Sequence, residues 1–196
     1  PRGADAAIEV WDAPLSQHGA VLVRARHAWA GRVADRFAAL CAAVGERAPA
    51  RLEYHTSVDP AAERLDTELL AALAVKRDSD LRLGLTQTGP HRDDLTLLLG
   101  GRDLREFGSA GQQRTAAIAL RMLEAESLRD ARDTAPVFLL DDPFAELDAG
   151  RSARVLALLA DIGPGQSVLA VPRASDIPRE LTSLPLLRVD DGRITT

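Results

Sequence analysis

An apolar run that ends in two acids constrains this chain more than any other stretch: Val137, Phe138, Leu139 and Leu140 lead directly into Asp141 and Asp142. A short continuous apolar run of this kind predicts a strand buried on both faces, as in parallel sheets. Its acids would then lie at the carboxyl edge of the sheet, where ligands of open α/β folds collect. A helical pattern across residues 151–159, ending near Gly163-Pro164, and a second apolar run at 168–171 complete a βαβ unit with parallel strands. The expected fold class is α/β.

A second signal precedes this strand. Residues 107–115 read FGSAGQQRT, which puts Ser109 at a helix N-cap and Gln112 at the reciprocal capping-box position. The predicted helix runs from about 110 to 129, with Thr115, Ile118, Ala119, Met122 and Leu123 on one face and Arg114, Arg121 and Glu124 opposite. Its start presents free N–H groups and a positive dipole end to an anion. The acids suit the same chemistry: Asp141 can hold Mg2+ directly or through water, and Asp142 can orient or deprotonate an attacking water. A bound cation would stabilise two neighbouring carboxylates that otherwise repel. Each signal also has an ordinary reading, a common capping device in one case and an acidic turn in the other.

The remaining elements are read by periodicity. Residues 1 to about 80 read as helical. After Pro14, the apolar positions Leu22, Trp29, Val33, Phe37, Leu40 and Val44 form an amphipathic stripe that Gly45 and Pro49 end. Arg24, Arg26, Arg32, Asp35, Arg36 and Glu46 read as its solvated surface, with a nucleic-acid contact as the alternative. A second helix begins at Asp59-Pro60 and runs through Leu65, Leu69, Ala72 and Leu73 to about Arg77. Strands follow at 81–86 and 95–99 around a polar insert, then a Gly100-Gly101 hairpin into 103–107, and a final hairpin turns at Asp191-Gly192. The division expected is a helical lobe over 1–80 and a strand-rich portion over 81–196.

Composition sets outer bounds. A formal charge of −5 argues against a general coat for polyanions, and the single cysteine, Cys41, excludes an intrachain disulfide framework. No apolar run has the length of a membrane span and nothing at the start resembles a signal peptide, so a cytoplasmic protein without membrane contact is expected. Pro1 is not an initiator and the only methionine is Met122, so a C-terminal piece of a longer protein is expected.

The order of these signals is that of ATP-binding-cassette heads. Ser109-Ala110-Gly111-Gln112-Gln113 resembles the signature helix, Leu139-Leu140-Asp141-Asp142 the Walker B strand, and Ala145-Glu146-Leu147-Asp148 the D-loop. Within that superfamily, TGPHRDDL (88–95), SAGQQRT (109–115) and LLDDPFAELD (139–148) together resemble the RecF DNA replication and repair family. Trp11, Leu15, Gly19-Ala20 and Arg26, then Leu52-Glu53-Tyr54, agree more loosely.

The resemblance implies a P-loop NTPase of the cassette type with an α-helical lobe, and ATP with Mg2+ as cofactors. It implies Asp141 as the Mg2+-associated acid and Asp142 where most cassette ATPases use glutamate. The shorter side chain is consistent with slow turnover. Ser109, Gly111 and Gln112 would meet the γ-phosphate of a partner's ATP, Gly111 by allowing close backbone approach, and Asp148 would lie at the dimer seam. The implied partners are a second copy in an ATP-dependent homodimer, double-stranded DNA with gaps or junctions, and RecR- and RecO-like mediators that help load RecA in gap repair and fork maintenance. His91 and Arg92 read as a structural turn.

Two departures qualify this. No GxxxxGK[ST] occurs in the sequence, so the phosphate-cradling loop would have to precede Pro1, and the chain alone is not expected to hydrolyse ATP. After the strand at 168–171, where cassette ATPases often place a switch histidine, stand Pro172 and Arg173, and Arg173 is the candidate replacement. The rival readings are a non-catalytic or split cassette-like interaction module and the head of an SMC-like chromosome protein. The second would need a far longer coiled-coil insertion.

Overall fold

The structure, a computed structural model, describes residues 2–162, 166–177, 181 and 185–195. Their contacts group into two compact units, residues 1–39 with 48–107, and residues 40–47 with 108–196.

The first unit is built on helix α1 (Arg2–Val44), whose final turns are grouped with the second unit. α1 runs through Pro14, which gives up one backbone hydrogen bond. Along it Ser16, Val23, Ala30, Phe37 and Val44 are all buried at a strict interval of seven, while Leu22 is exposed. The expected stripe was therefore one residue out at its start. Leu22 and Val23 are both apolar, and only the interval of seven decides between them. Gly45 ends the helix as expected, at φ 116°, with Glu46 N–H donating to the Cys41 carbonyl at 3.0 Å and Gly45 N–H to that of Ala42 at 2.9 Å.

The expectation that residues 1–80 are helical fails at β1 (Ala50–His55), which pairs antiparallel with β2 (Asp94–Leu99) in the register Ala50↔Leu99 to His55↔Asp94. The partner lies some forty residues downstream, beyond any local pattern. Asp59 starts a turn rather than a helix, its carboxylate accepting Ala61 N–H at 3.0 Å. Helix α2 (Leu65–Leu83) follows and buries the expected Leu65, Leu69 and Leu73. It also takes up the first half of the strand expected at 81–86, the rest being turn and loop, and passes through residue 80, the expected division. The alternation of Leu81, Leu83 and Leu85 imitates a strand, but Gly84, left-handed at φ 68°, closes a helix there with its N–H on the Asp80 carbonyl at 2.8 Å. The strand expected at 103–107 shortens to β3 (Arg102–Asp103), and a single turn, α3 (Leu104–Phe107), replaces the rest. Asp103 turns the chain by accepting Arg105 N–H at 2.7 Å.

Two of the arginines expected on a solvated face instead hold loops of the first unit. Arg24 donates to the Glu63 carbonyl at 3.0 Å, and Arg26 donates to the Pro90 carbonyl and faces Asp93 at 3.7 Å. Asp93 also accepts from the Tyr54 hydroxyl, whose pKa is pushed up to about 12, first by burial and then by that bond. The TGPHRDD insert is thus a fixed loop. His91 and Arg92 both reach the Thr86 carbonyl, at 3.0 and 2.9 Å, and Arg92 N–H closes a turn on the Gly89 carbonyl.

The second unit contains α4 (Ala110–Arg132), β4 (Val137–Asp141), α5 (Ala149–Ile162) and β5 (Gln166–Ala170). β4 and β5 pair in parallel, Val137↔Gln166 to Asp141↔Ala170, as the βαβ reading requires. α4 buries Thr115, Ile118, Ala119, Met122 and Leu123, the predicted face. Gly163-Pro164, the expected end of α5, lies outside the described residues. β6 (Arg188–Asp190) and β7 (Arg193–Thr195) form the closing hairpin. One expectation is reversed: β4 is not covered on both faces. Phe138 is buried, but Val137 and Leu139 are 57% and 76% exposed, and Val168 on β5 is 51% exposed. The uninterrupted apolar run reported that both faces are apolar, and among the described residues only one is covered.

Candidate functional site

The second unit brings the two sequence signals together. Ser109 caps α4 in an extended conformation, its Oγ accepting Gln112 N–H at 3.3 Å while Gln112 Oε1 accepts Ser109 N–H at 2.9 Å. The predicted capping box is present, and it engages the acceptor oxygens of both side chains. The amides of Ala110 and Gly111, in the first turn, stand outside the intrahelical ladder and remain as anion donors. Both side chains serve the box as acceptors, so the Ser109 O–H and the Gln112 Nε2 hydrogens stay available to an anion with the box intact.

Asp141 ends β4 exposed at the carboxyl edge. Asp142 follows in the left-handed region at φ 44°, its N–H donating to the Ala170 carbonyl on β5 at 2.8 Å. Glu146, four residues on, is left-handed as well at φ 63°. Such backbone is uncommon outside glycine and is kept where the surroundings determine it. Arg114 on α4 meets this turn, its guanidinium donating to the Asp142 carbonyl at 2.9 Å and to the Ala145 carbonyl at 3.4 Å. Gly111 makes a second contact: a Cβ there would lie 3.0 Å from the Glu146 carbonyl oxygen.

Asp148 caps α5, accepting Arg151 N–H at 2.9 Å through its carboxylate and Ser152 N–H at 2.9 Å through its carbonyl. Arg151 gathers the site from below. It pairs with Glu46, donates to Thr115 Oγ1 at 3.1 Å and lies 3.6 Å from the Asp148 carboxylate. The Glu46 side chain is only 5% exposed, which corrects its expected place on a solvated face. Arg154 donates to the Val44 carbonyl at 2.8 Å. Arg173, the candidate replacement for a switch histidine, pairs with Asp176 at 3.0 Å, and this carboxylate, then that of Asp142, raises its pKa.

Every predicted site residue, Ser109, Gly111, Gln112, Asp141, Asp142 and Asp148, falls in this one unit. Sequence reasoning missed the connectors Arg114, Arg151 and Glu46. Arg114 had been read only as part of the polar side of a helix, and the Glu46 to Arg151 pair spans 105 residues. Among the described residues no three His, Cys, Asp or Glu side chains converge on a point. A lone exposed carboxylate such as Asp141 is the kind of donor Mg2+ takes when phosphate and water complete its shell. A cavity of about 440 Å³ opens beside Asp141, lined by Arg114, Ile118 and Arg121 from α4 and Val137, Leu139 and Asp141 from β4.

The chain is 39% identical over 185 residues to the DNA replication and repair protein RecF of Frankia alni, covering 89% of this chain and 48% of that protein. It is 36% identical over 213 residues to RecF of Thermomicrobium roseum, covering 98% of this chain and 53% of that one. It thus spans about half the length of the curated relatives it matches. No family model matches it. Among solved structures, the recombination mediator protein RecF with ATPrS, of the RecFOR pathway, superposes with a TM-score of 0.72 at 28% identity, over 88% of this chain and 47% of that one. RecF with ATP superposes at 0.74, with 24% identity over 96% of this chain and 50% of that one, a likeness of fold.

Proposed function

This chain belongs to the RecF family of DNA replication and repair proteins, and on that premise we propose that the full-length protein is a slow, DNA-binding ATPase of gap repair and fork maintenance. It dimerises on double-stranded DNA at gaps or junctions when ATP is bound, and acts with RecR- and RecO-like mediators to load RecA. It works in the cytoplasm; no described helix is long and apolar enough to cross a membrane. We assign the helical lobe to α1 and α2, and the signature and Walker B half of the cassette head to the second unit.

The observation that carries this reading is the pair of half-sites held in one unit: open amides at the start of α4 and two acids at the carboxyl end of β4. Asp141 would hold the metal of the chain's own nucleotide, and Asp142 would orient the attacking water. Bound there, Mg2+ would supply positive charge against the charge that develops on the transferred phosphoryl group. The amides of Ala110 and Gly111, joined by the Ser109 hydroxyl and the Gln112 side-chain N–H groups, receive the terminal phosphate held by a partner copy. Asp148 lies at the seam between the copies. The apolar face left open by Val137, Leu139 and Val168 is covered by the remainder of the protein.

Asp142→Asn in the full-length protein tests the assignment. The ATP-bound dimer is expected to persist well beyond the wild-type lifetime in size-exclusion or light-scattering measurements, and dissociation at the wild-type rate would remove the role of Asp142. Binding to gapped duplex across a salt series tests the DNA clamp. Binding that ignores both ATP and DNA structure would eliminate it.

A further inference from the structure

We infer that Arg114 is a positioning residue: it fastens the turn carrying Asp142 to the start of α4, so that the acid half-site and the anion-binding half-site of one chain move together. The inference rests on the functional reading above for what the two half-sites do, and on geometry alone for their connection.

Arg114 lies in the first turns of α4, five residues after the Ser109 cap. Its Nη2 donates to the Asp142 carbonyl at 2.9 Å and its Nε faces the Ala145 carbonyl at 3.4 Å. Both acceptors belong to the turn that leaves β4. Asp142 is therefore held on both sides, by its own N–H on the Ala170 carbonyl and by Arg114 on its C=O, in a left-handed conformation. The fork matters, because a guanidinium presents donors in a fixed plane and an ammonium is a point charge on a flexible stem. The internal bonds of the turn, Ala145 N–H to Asp142 at 3.3 Å and Leu147 N–H to Phe144 at 3.2 Å, are long, so the turn depends on outside support. Gly111 gives the helix a second point of contact at the Glu146 carbonyl. A displacement of the first turn of α4, such as an anion arriving at Ala110 and Gly111 would cause, is passed to the Asp142 backbone through Arg114.

The test combines amide exchange with a mutant cycle in the full-length protein. In Arg114→Ala the amides of Ala145 and Leu147 are expected to exchange on the order of tenfold faster, with the β1–β2 ladder unchanged. Unchanged exchange across 142–148, or acceleration of both regions alike, would overturn the inference. Turnover is expected to fall on the order of ten- to a hundredfold with KM within about twofold. Arg114→Lys should recover part of it and also covers the case in which the alanine variant does not fold. Combined with Asp142→Asn, Arg114→Ala should add nothing further, because it acts through that residue. If Asp142→Asn is slow and the two losses multiply, Arg114 does not act through Asp142. Wild-type turnover in Asp142→Asn would instead sink the functional reading, and the exchange data would still decide for or against Arg114.

Discussion

Gly111→Ala sets two effects of comparable size against each other, and the structure decides the sign. Gly111 is the second residue of α4, and alanine is the better helix former by up to about 1 kcal/mol, less in a first turn than in a helix interior. Helix propensity alone therefore predicts a more stable protein. Against it stands the Glu146 carbonyl, 3.0 Å from where the new Cβ would lie. Backbone stands on both sides of that contact, so the relief must come from a shift of the 142–148 turn, which Arg114 and the Ala170 carbonyl hold. Overpacking of this kind costs about 1–3 kcal/mol. The net expectation is a loss of about 1 kcal/mol, a fall in Tm of roughly 2–4 °C for a chain of this length. Calorimetry or a circular-dichroism melt reads it directly. A rise in Tm would show that the turn yields freely and that α4 does not constrain the acids, refuting the coupling of the half-sites. The same glycine, expected to allow close approach of a phosphate, also lies against the Glu146 carbonyl of the 142–148 turn.

Other expected outcomes concern the supports of the site. Glu46→Ala strips Arg151 of its buried partner; such losses run to about 3–5 kcal/mol, and because Arg151 keeps Thr115 and Asp148 the expectation here is about 2–3 kcal/mol by urea unfolding. A loss under about 0.5 kcal/mol would mark the pair as solvated. The thiol of Cys41 is pushed up to about 12, by burial and then by the charge of Glu46. It should resist alkylation in the native protein at pH 8 and react on unfolding. Because its folded pKa is raised, its contribution to stability is complete below the ordinary thiol range and is lost as pH climbs toward 12, so a urea midpoint that rises over that interval would contradict the assignment.

What the sequence disclosed was whatever is encoded locally. The α4 face, the Ser109 capping box and the Gly45 stop depend on residues within a few positions of one another, and all are present. The β4–β5 pair was legible because an apolar run, a helix and a second apolar run leave little choice of topology. The failures have a common source in distance. β1 forms because β2 arrives some forty residues later, and Leu81 and Leu83, although they alternate as in a strand, complete a helix that Gly84 ends. Within the site, the candidate residues stood out in the sequence by type and order. Arg114 and Glu46, which hold them, looked like ordinary surface charge, and Arg151 did not stand out, because their partners are carbonyls and side chains brought close only by the fold.

The central claim is that Asp142 serves the chain's own nucleotide and Ser109 that of a partner. Mixing two full-length variants, Ser109→Arg and Asp142→Asn, each inactive alone, tests it most directly by ATP turnover. In a mixed dimer one site combines the intact acid of the first with the intact helix start of the second, so random exchange should restore about a quarter of wild-type turnover. If the mixture stays at the level of the separate variants, the two half-sites serve the same nucleotide, and the account is wrong.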